Sequence, residues 1–133
     1  MSTQANIQTV QNIYAAFGAG DLKGLFTHLA ENVDWQTLGP SIIPQAGPHR
    51  GLKEVEKFFE KVGASYDIKK FDPREFIAQD DKVVVLGSHA GKAKPTGKSY
   101  EAEWAMVWTL SEGRVVKFRE YLDATNLIPA FTR

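Results

Sequence analysis

Cysteine is absent from the 133 residues. No disulfide, thiolate metal site or cysteine nucleophile is available to the chain. Excess charge is also missing, because sixteen basic residues balance sixteen acidic ones. Recognition through bulk charge has no basis, so neither a nucleic acid nor an anionic membrane is an expected partner. The longest purely aliphatic run is Val83 to Leu86, far short of the roughly 20 residues that span a bilayer. The start, "MSTQANIQTV", is polar where a secretory signal needs a basic end and an apolar run. A soluble, cytoplasmic protein is expected. The three histidines, His28, His49 and His89, have no metal-ligand spacing, so no metal is expected. There is no P-loop, no G-x-G-x-x-G and no G-x-S-x-G, and no cofactor is expected.

What is present is an ordinary globular composition, with 43% hydrophobic residues, enough for a real core. No repeat, low-complexity tract or linker divides the chain, and residues 1–133 are expected to form one domain. Ile7, Val10, Tyr14 and Phe17 follow the three-four spacing of a buried helical stripe, with Ser2 or Thr3 as cap and "GAG" (18–20) as stop. Asp21 caps a second short helix with Leu22, Leu25, Phe26 and Leu29 as its stripe. "NVDWQTL" (32–38) reads as a short strand. Gly39 to Gly51, with three prolines and three glycines, reads as a loop. A third helix carries Leu52, Val55, Phe58, Phe59 and Val62.

The second half alternates with period two. "YDIKKF" and "REFIAQ" flank Pro73, which suits an edge strand or a bend. "DKVVVLGSHAGKA", "KSYEAEWAMVWTL" and "RVVKFREYLD" are three further strands, and "ATNLIPAFTR" is a short helical turn. Helices followed by hairpin-connected strands indicate an α+β domain. The expected form is three N-terminal helices packed in a strongly curved, mainly antiparallel sheet, a cone with an apolar pocket.

In "GRVVKFREYLD" (113–123) Glu120 falls in phase with Val116, Phe118 and Leu122. A buried carboxylate is costly unless it is paired, hydrogen-bonded or neutralised. A two-residue Glu112-Gly113 turn pairs Ser111 with Arg114 and Leu110 with Val115. Extended without interruption, that register pairs Val107 with Phe118, Ala105 with Glu120 and Glu103 with Leu122. Glu103 and Glu120 then share a face as diagonal neighbours, a plausible acid/base pair beside Val107, Phe118 and Leu122. The opposite face carries Tyr100, Trp104, Met106, Trp108 and Tyr121 but also Lys117 and Arg119. Its aromatics could be the core, which would turn the glutamates to solvent, or could pack on a second subunit. Tyr14, Trp35 and His49 are further candidates for a ligand pocket. The phase of His89 is not fixed by the sequence, because the "KAKPTGK" loop has no defined length.

"IYAAFGAGDLKGLFTHLAENVDW" (13–35), "GPHRGLKEVEKFF" (47–59), "TGKSYEAEW" (96–104) and "GRVVKFREYLD" together resemble the SnoaL-like, ketosteroid-isomerase-like group. That group shares a cystatin-like, cone-shaped fold with nuclear transport factor two. The resemblance implies an apolar cavity under a curved sheet, with Phe118, Glu120 and Leu122 facing in. It also implies a homodimer through the outer face bearing Trp104, Met106, Trp108, Arg119 and Tyr121. The steroid-isomerase acid/base positions fall on Ile13, Thr37 and Ala105, none of which carries the required group. The expectation is cofactor-independent acid/base chemistry on a small apolar molecule, of isomerase, cyclase or hydrolase type. Glu120 and Glu103 would be catalytic, and Tyr14, Trp35, His49, Val107, Phe118 and Leu122 would bind the ligand. The alternative is a non-catalytic ligand-binding or dimeric stress-related protein of the same fold.

Overall fold

The computed structural model describes residues 2–133. Ser2 begins the first helix, its hydroxyl accepting the Ala5 amide at 3.0 Å, which satisfies one of the free N–H groups of a helix start. This helix, α1 (Thr3–Gly18), buries Val10 and Ile13 and lays Ile7, Tyr14 and Phe17 against the core. Asp21 caps α2 (Leu22–Phe26) through the Gly24 amide at 2.9 Å. Strands β1 (Leu29–Leu38) and β2 (Gly47–Arg50) precede α3 (Gly51–Ser65). Four long strands follow: β3 (Tyr66–Gln79), β4 (Lys82–Ala93), β5 (Ser99–Ser111) and β6 (Arg114–Leu122). The chain closes with α4 (Leu127–Phe131).

The strands form one sheet in the order β2-β1-β6-β5-β4-β3. The β1–β6 pair is parallel and the others are antiparallel. The α+β reading holds, with three corrections. The sheet is open rather than a closed or strongly curled cone, with β2 and β3 as its edges. Only α1 and α2 precede the first strand, and α3 follows β2. Residues 47–50, expected as loop, are strand β2, pairing with β1 from Thr37↔Gly47 to Asp34↔Arg50. An edge strand tolerates Pro48 because its outward side needs no N–H donor. The other edge contains Pro73, as expected, with register shifts between Ile68 and Lys70 and between Pro73 and Glu75. Irregular edges of this kind deter pairing with another chain.

The β5–β6 hairpin sets the direction of the cavity-facing side chains. Its turn is as expected: Glu112 and Gly113 take φ 51° and 80°, and Ser111 pairs with Arg114 and Leu110 with Val115. The register then slips by one residue. Thr109 pairs with Lys117, Trp108 with Phe118, Met106 with Glu120 and Trp104 with Leu122. Val116 is the extra residue of a β-bulge. Beyond it every pairing is displaced from the uninterrupted register, and a one-residue slip exchanges the two faces. Trp104, Met106 and Trp108 continue the inward phase of Leu110 along the regular strand β5 and are buried in the core instead of forming an outer dimer face. Glu103 and Val107 move to the outer face. Of the outer-face residues named from sequence, Arg119 and Tyr121 remain there. Arg119 donates to Asp34 Oδ2 at 2.9 Å and to the Asp34 carbonyl at 3.0 Å, clamping β6 to β1.

Gly87 of β4 makes room for this packing. A Cβ there would stand 2.5 Å from the Asp72 carbonyl oxygen and 2.6 Å from Trp104 Cη2. The backbone oxygen cannot swing aside as a flexible side chain would. Gly87→Ala is expected to destabilise the fold by about 1–3 kcal/mol, the usual cost of overpacking. Urea unfolding checks this, and an unchanged midpoint would show that β3 and Trp104 yield freely.

Candidate functional site

The parallel β1–β6 pair builds the polar centre of a cavity. Its register places Trp35 beside Phe118 and Thr37 beside Glu120. Val33, Trp35 and Thr37 alternate inward along β1 and are all buried. Trp35 and Phe118 stack with ring centroids 4.0 Å apart. Thr37 donates its hydroxyl to Glu120 Oε1 at 2.8 Å. This is the one protein hydrogen bond made by the Glu120 carboxyl among the described residues, and no Lys or Arg pairs with it.

Glu120 lines a cavity of ≈ 70 Å³, several times the ~10–15 Å³ that a single water needs. Helices α1 and α3 supply Ile13, Tyr14, Phe17, Phe58, Phe59 and Val62 to its wall. The sheet supplies Trp35, Tyr66, Ile68, Phe71, His89, Met106, Trp108 and Phe118, and Gln45 enters from the segment between β1 and β2. The wall is thus mainly aromatic and aliphatic with a few polar groups, the common form of a small-molecule site.

Electrostatics follow from that wall. Burial pushes the Glu120 carboxyl from an ordinary 4.5 up to about 7, with the Thr37 hydrogen bond pulling partly back. The charged form loses its hydration and gains no counter-charge. Burial drives His89 the other way, to about 4, so its imidazole is neutral at pH 7. His89 Nδ1 lies 2.8 Å from the Tyr100 hydroxyl. The Tyr14 hydroxyl accepts from Trp108 Nε1 at 3.1 Å and faces Met106 Sδ at 3.1 Å. Burial raises its pKa well above the ordinary tyrosine value. Tyr14 is thereby fixed by the protein itself.

Three polar groups of the cavity residues remain without partners: Trp35 Nε1, Gln45 Oε1 and the Tyr66 hydroxyl. Burial raises the Tyr66 pKa; the nearby Gln45 amide offsets part of that rise without making a hydrogen bond of normal geometry. Unpaired buried polar groups are rare in folded proteins.

Of the residues expected at the site, Glu120, Tyr14, Trp35 and Phe118 line the cavity together. Glu103 does not. Its side chain is 79% exposed and lies 3.8 Å from Arg74, because it alternates along β5 with the buried Ala102 and Trp104. Val107 faces outward in the same alternation, between the buried Met106 and Trp108, and pairs with Arg119. Leu122 points inward but packs where the two hydrophobic clusters meet, outside the cavity wall. His49 is buried elsewhere. Its Nδ1 lies 3.2 Å from the Gly47 carbonyl and its Nε2 3.1 Å from Lys61 Nζ. With Lys61 donating to Nε2, the Nδ1–H donates to Gly47. The ring meets Phe58 edge-on, so His49 fastens β2 to α3. Gln45, Tyr66, His89 and Met106 were not expected in the wall. His89 follows Val83 and Val85 in phase along β4, a spacing that could have been read. Gln45 and Tyr66 sit at element junctions and carry no periodic signal. Among the described residues no three His, Asp or Glu side chains converge as a metal site would require.

The SnoaL-like domain family matches residues 10–118. An NTF2-like protein from Burkholderia xenovorans LB400 is similar at 36% identity over 99% of both chains, with TM-score 0.90. An NTF2-like protein of unknown function from Burkholderia pseudomallei K96243 is similar at 32% identity over 100% of both chains, with TM-score 0.88. TerC, co-crystallised with polyporic acid, shares the fold at 23% identity, over 96% of this chain and 98% of its own, with TM-score 0.85. A search of curated proteins finds no match. No helix among the described residues is long and apolar enough to cross a membrane.

The raised pKa of Glu120 makes stability depend on pH. The folded state holds this proton more tightly than the unfolded chain does. The stabilisation is complete below the unfolded value of 4.5 and is lost as pH rises through about 7. Glu120→Gln removes the titration. The stability of the variant relative to the native protein is expected to grow by about 3 kcal/mol from pH 4 to pH 8.5. Urea unfolding at both pH values measures it, and a difference that stays constant would mean the carboxyl is not held in an apolar site.

Proposed function

The chain belongs to the SnoaL-like domain family, and on that premise we propose that it is a small-molecule enzyme using Glu120 as a single proton shuttle. One observation carries the reading: a fully buried carboxyl in an aromatic cavity, held by one hydroxyl and opposed by no cation. Near neutral pH both its forms are populated, which suits a group that must take and return a proton.

The carboxylate form removes a proton from a weakly acidic carbon of the bound molecule. The electron pair of that C–H bond moves into the substrate's π-system. The protonated Glu120 then returns the proton to the same or a neighbouring carbon, and the carboxylate is restored. Isomerisation and cyclisation both fit this cycle. Thr37 holds Oε1 and leaves Oε2 for the substrate. The mainly apolar wall excludes water that would level the carboxyl's basicity.

Deuterium incorporation from D₂O into a cyclic ketone, followed by NMR, tests the proposal without the natural substrate. The native protein is expected to accelerate wash-in, with a rate that rises with pH and levels off above about 7. Glu120→Gln is expected to lower the rate by about 10²–10⁴-fold, whereas Glu103→Gln leaves it unchanged. Equal rates for Glu120→Gln and the native protein would end the catalytic reading. Binding of the ketone without wash-in would leave the cavity as a site for ligand capture alone.

A further inference from the structure

The cavity wall is sealed on most sides. Its residues on β1, β4, β5 and β6, among them Trp35, Trp108 and Glu120, are all buried. Among the described residues, half-buried members of the wall occur only where α1 and α3 lie over the edge strand β3. They are Phe17 on α1, Phe59 and Val62 on α3, and Ile68 and Phe71 on β3, with Tyr14 one turn back along α1. The backbone of β3 is irregular there, with a register shift between Ile68 and Lys70, and its far side pairs with no strand.

The Phe17 ring spans this gap. Its centroid lies 5.0 Å from that of Phe71 and 5.9 Å from that of Phe59, so it joins α1 to the other two elements. Those two rings are held from behind, Phe59 by Phe26, Phe58 and Trp35, and Phe71 by Tyr14 and Trp104. Tyr14 is itself tied to Trp108 and Met106. The α3 side of the gap is fastened as well. Lys94 Nζ donates to the Gly63 carbonyl at 2.6 Å, and the Lys94 amide donates to the Ser65 carbonyl at 2.9 Å. The end of α1 is different. The backbone bonds that close it run from Ala19 to Ala15, from Gly20 to Phe17 and from Asp21 to Ala16. None of them reaches α3 or β3.

A second observation points to the same end of α1. Gly18 follows Phe17 as the last residue of the helix and is exposed. Its backbone is not in the left-handed region, and an added Cβ would meet nothing within 4 Å. Neither conformation nor packing requires glycine there. Relative to alanine, a helical glycine favours local opening by roughly two- to fivefold. The residue beside the ring is therefore one that loosens the turn carrying it.

We propose that the cavity is entered between α1 and α3, across β3, and that the Phe17 ring is the gate, swinging aside as the last turn of α1 opens. The inference concerns access alone and holds whether Glu120 moves a proton or only binds a ligand.

Acrylamide quenching of tryptophan fluorescence tests it without a substrate, because Trp35 and Trp108 are buried in the cavity wall. The chain has no cysteine, so Phe17→Cys supplies a unique thiol. Phe17→Cys is expected to raise the quenching constant. Its adduct with benzyl methanethiosulfonate puts a ring back at the gap and should return the constant to the native value or below. The same adduct on Glu103→Cys, on the outer face, should change nothing. Gly18→Ala is expected to lower the native constant by roughly two- to fivefold. An unchanged constant in Phe17→Cys, an adduct that fails to lower it, or an equal effect of the adduct on Glu103→Cys would overturn the proposal. Gly18→Ala decides alone if Phe17→Cys does not fold: a lowered constant supports the gate, and a native one overturns it.

Discussion

Val116 is the extra residue in β6, and the inward orientation of Phe118 and Glu120 depends on it. Before the bulge Leu110 pairs with Val115, and both are buried. In an uninterrupted strand Lys117 would come next on the inner face, and Phe118 and Glu120 would point outward. The bulge skips Val116, sends Lys117 out and brings Phe118 and Glu120 in. Burying Phe118 against Trp35 and Trp108 outweighs the local loss of regular pairing. The parallel partner β1 then meets the shifted strand with Thr37 opposite Glu120. The single hydrogen bond of the carboxyl thus follows from one inserted residue.

The same cavity works against the stability of the ligand-free chain. Glu120 loses stabilisation as pH rises from 4.5 through about 7. His89, with its pKa lowered to about 4, contributes stability above its ordinary 6.5 and loses it as pH falls. Between these values the two slopes oppose each other. The unpartnered Trp35, Gln45 and Tyr66 groups add a further desolvation cost. A chain selected only for stability would replace them with apolar residues of similar shape. Their presence in one cavity, beside one carboxyl, gives that cavity its chemical character.

Much of the fold could be read along the chain. The stripes of α1 and α3, the Asp21 cap, the Glu112-Gly113 turn and the edge position of Pro73 are local features, and each took the expected form. The four-residue β2 carries no strand signal of its own, because proline and glycine dominate its surroundings. The hairpin is more instructive. Along β5, Tyr100, Ala102, Trp104, Met106, Trp108 and Leu110 form an unbroken apolar set; along β6, Phe118, Glu120 and Leu122 form another. Both sets do face inward. With the turn fixed as well, the three are compatible only if one residue is skipped. An uninterrupted register hid that and created a false pair from Glu103 and Glu120.

By itself the sequence determined the types of the long elements, the turn that joins the last two strands, the family resemblance and the alternating set to which Glu120 belongs. Each depends on neighbours along the chain or on a period that a single strand displays. Tertiary structure decided the rest. It left Glu120 without a second carboxylate and gave it Thr37 from a strand 83 residues away in sequence. It fixed His49 and Tyr14 to protein partners and left Tyr66 and Trp35 without any. Burial and hydrogen-bond satisfaction depend on which strands and helices meet, and no periodicity within one segment encodes that meeting.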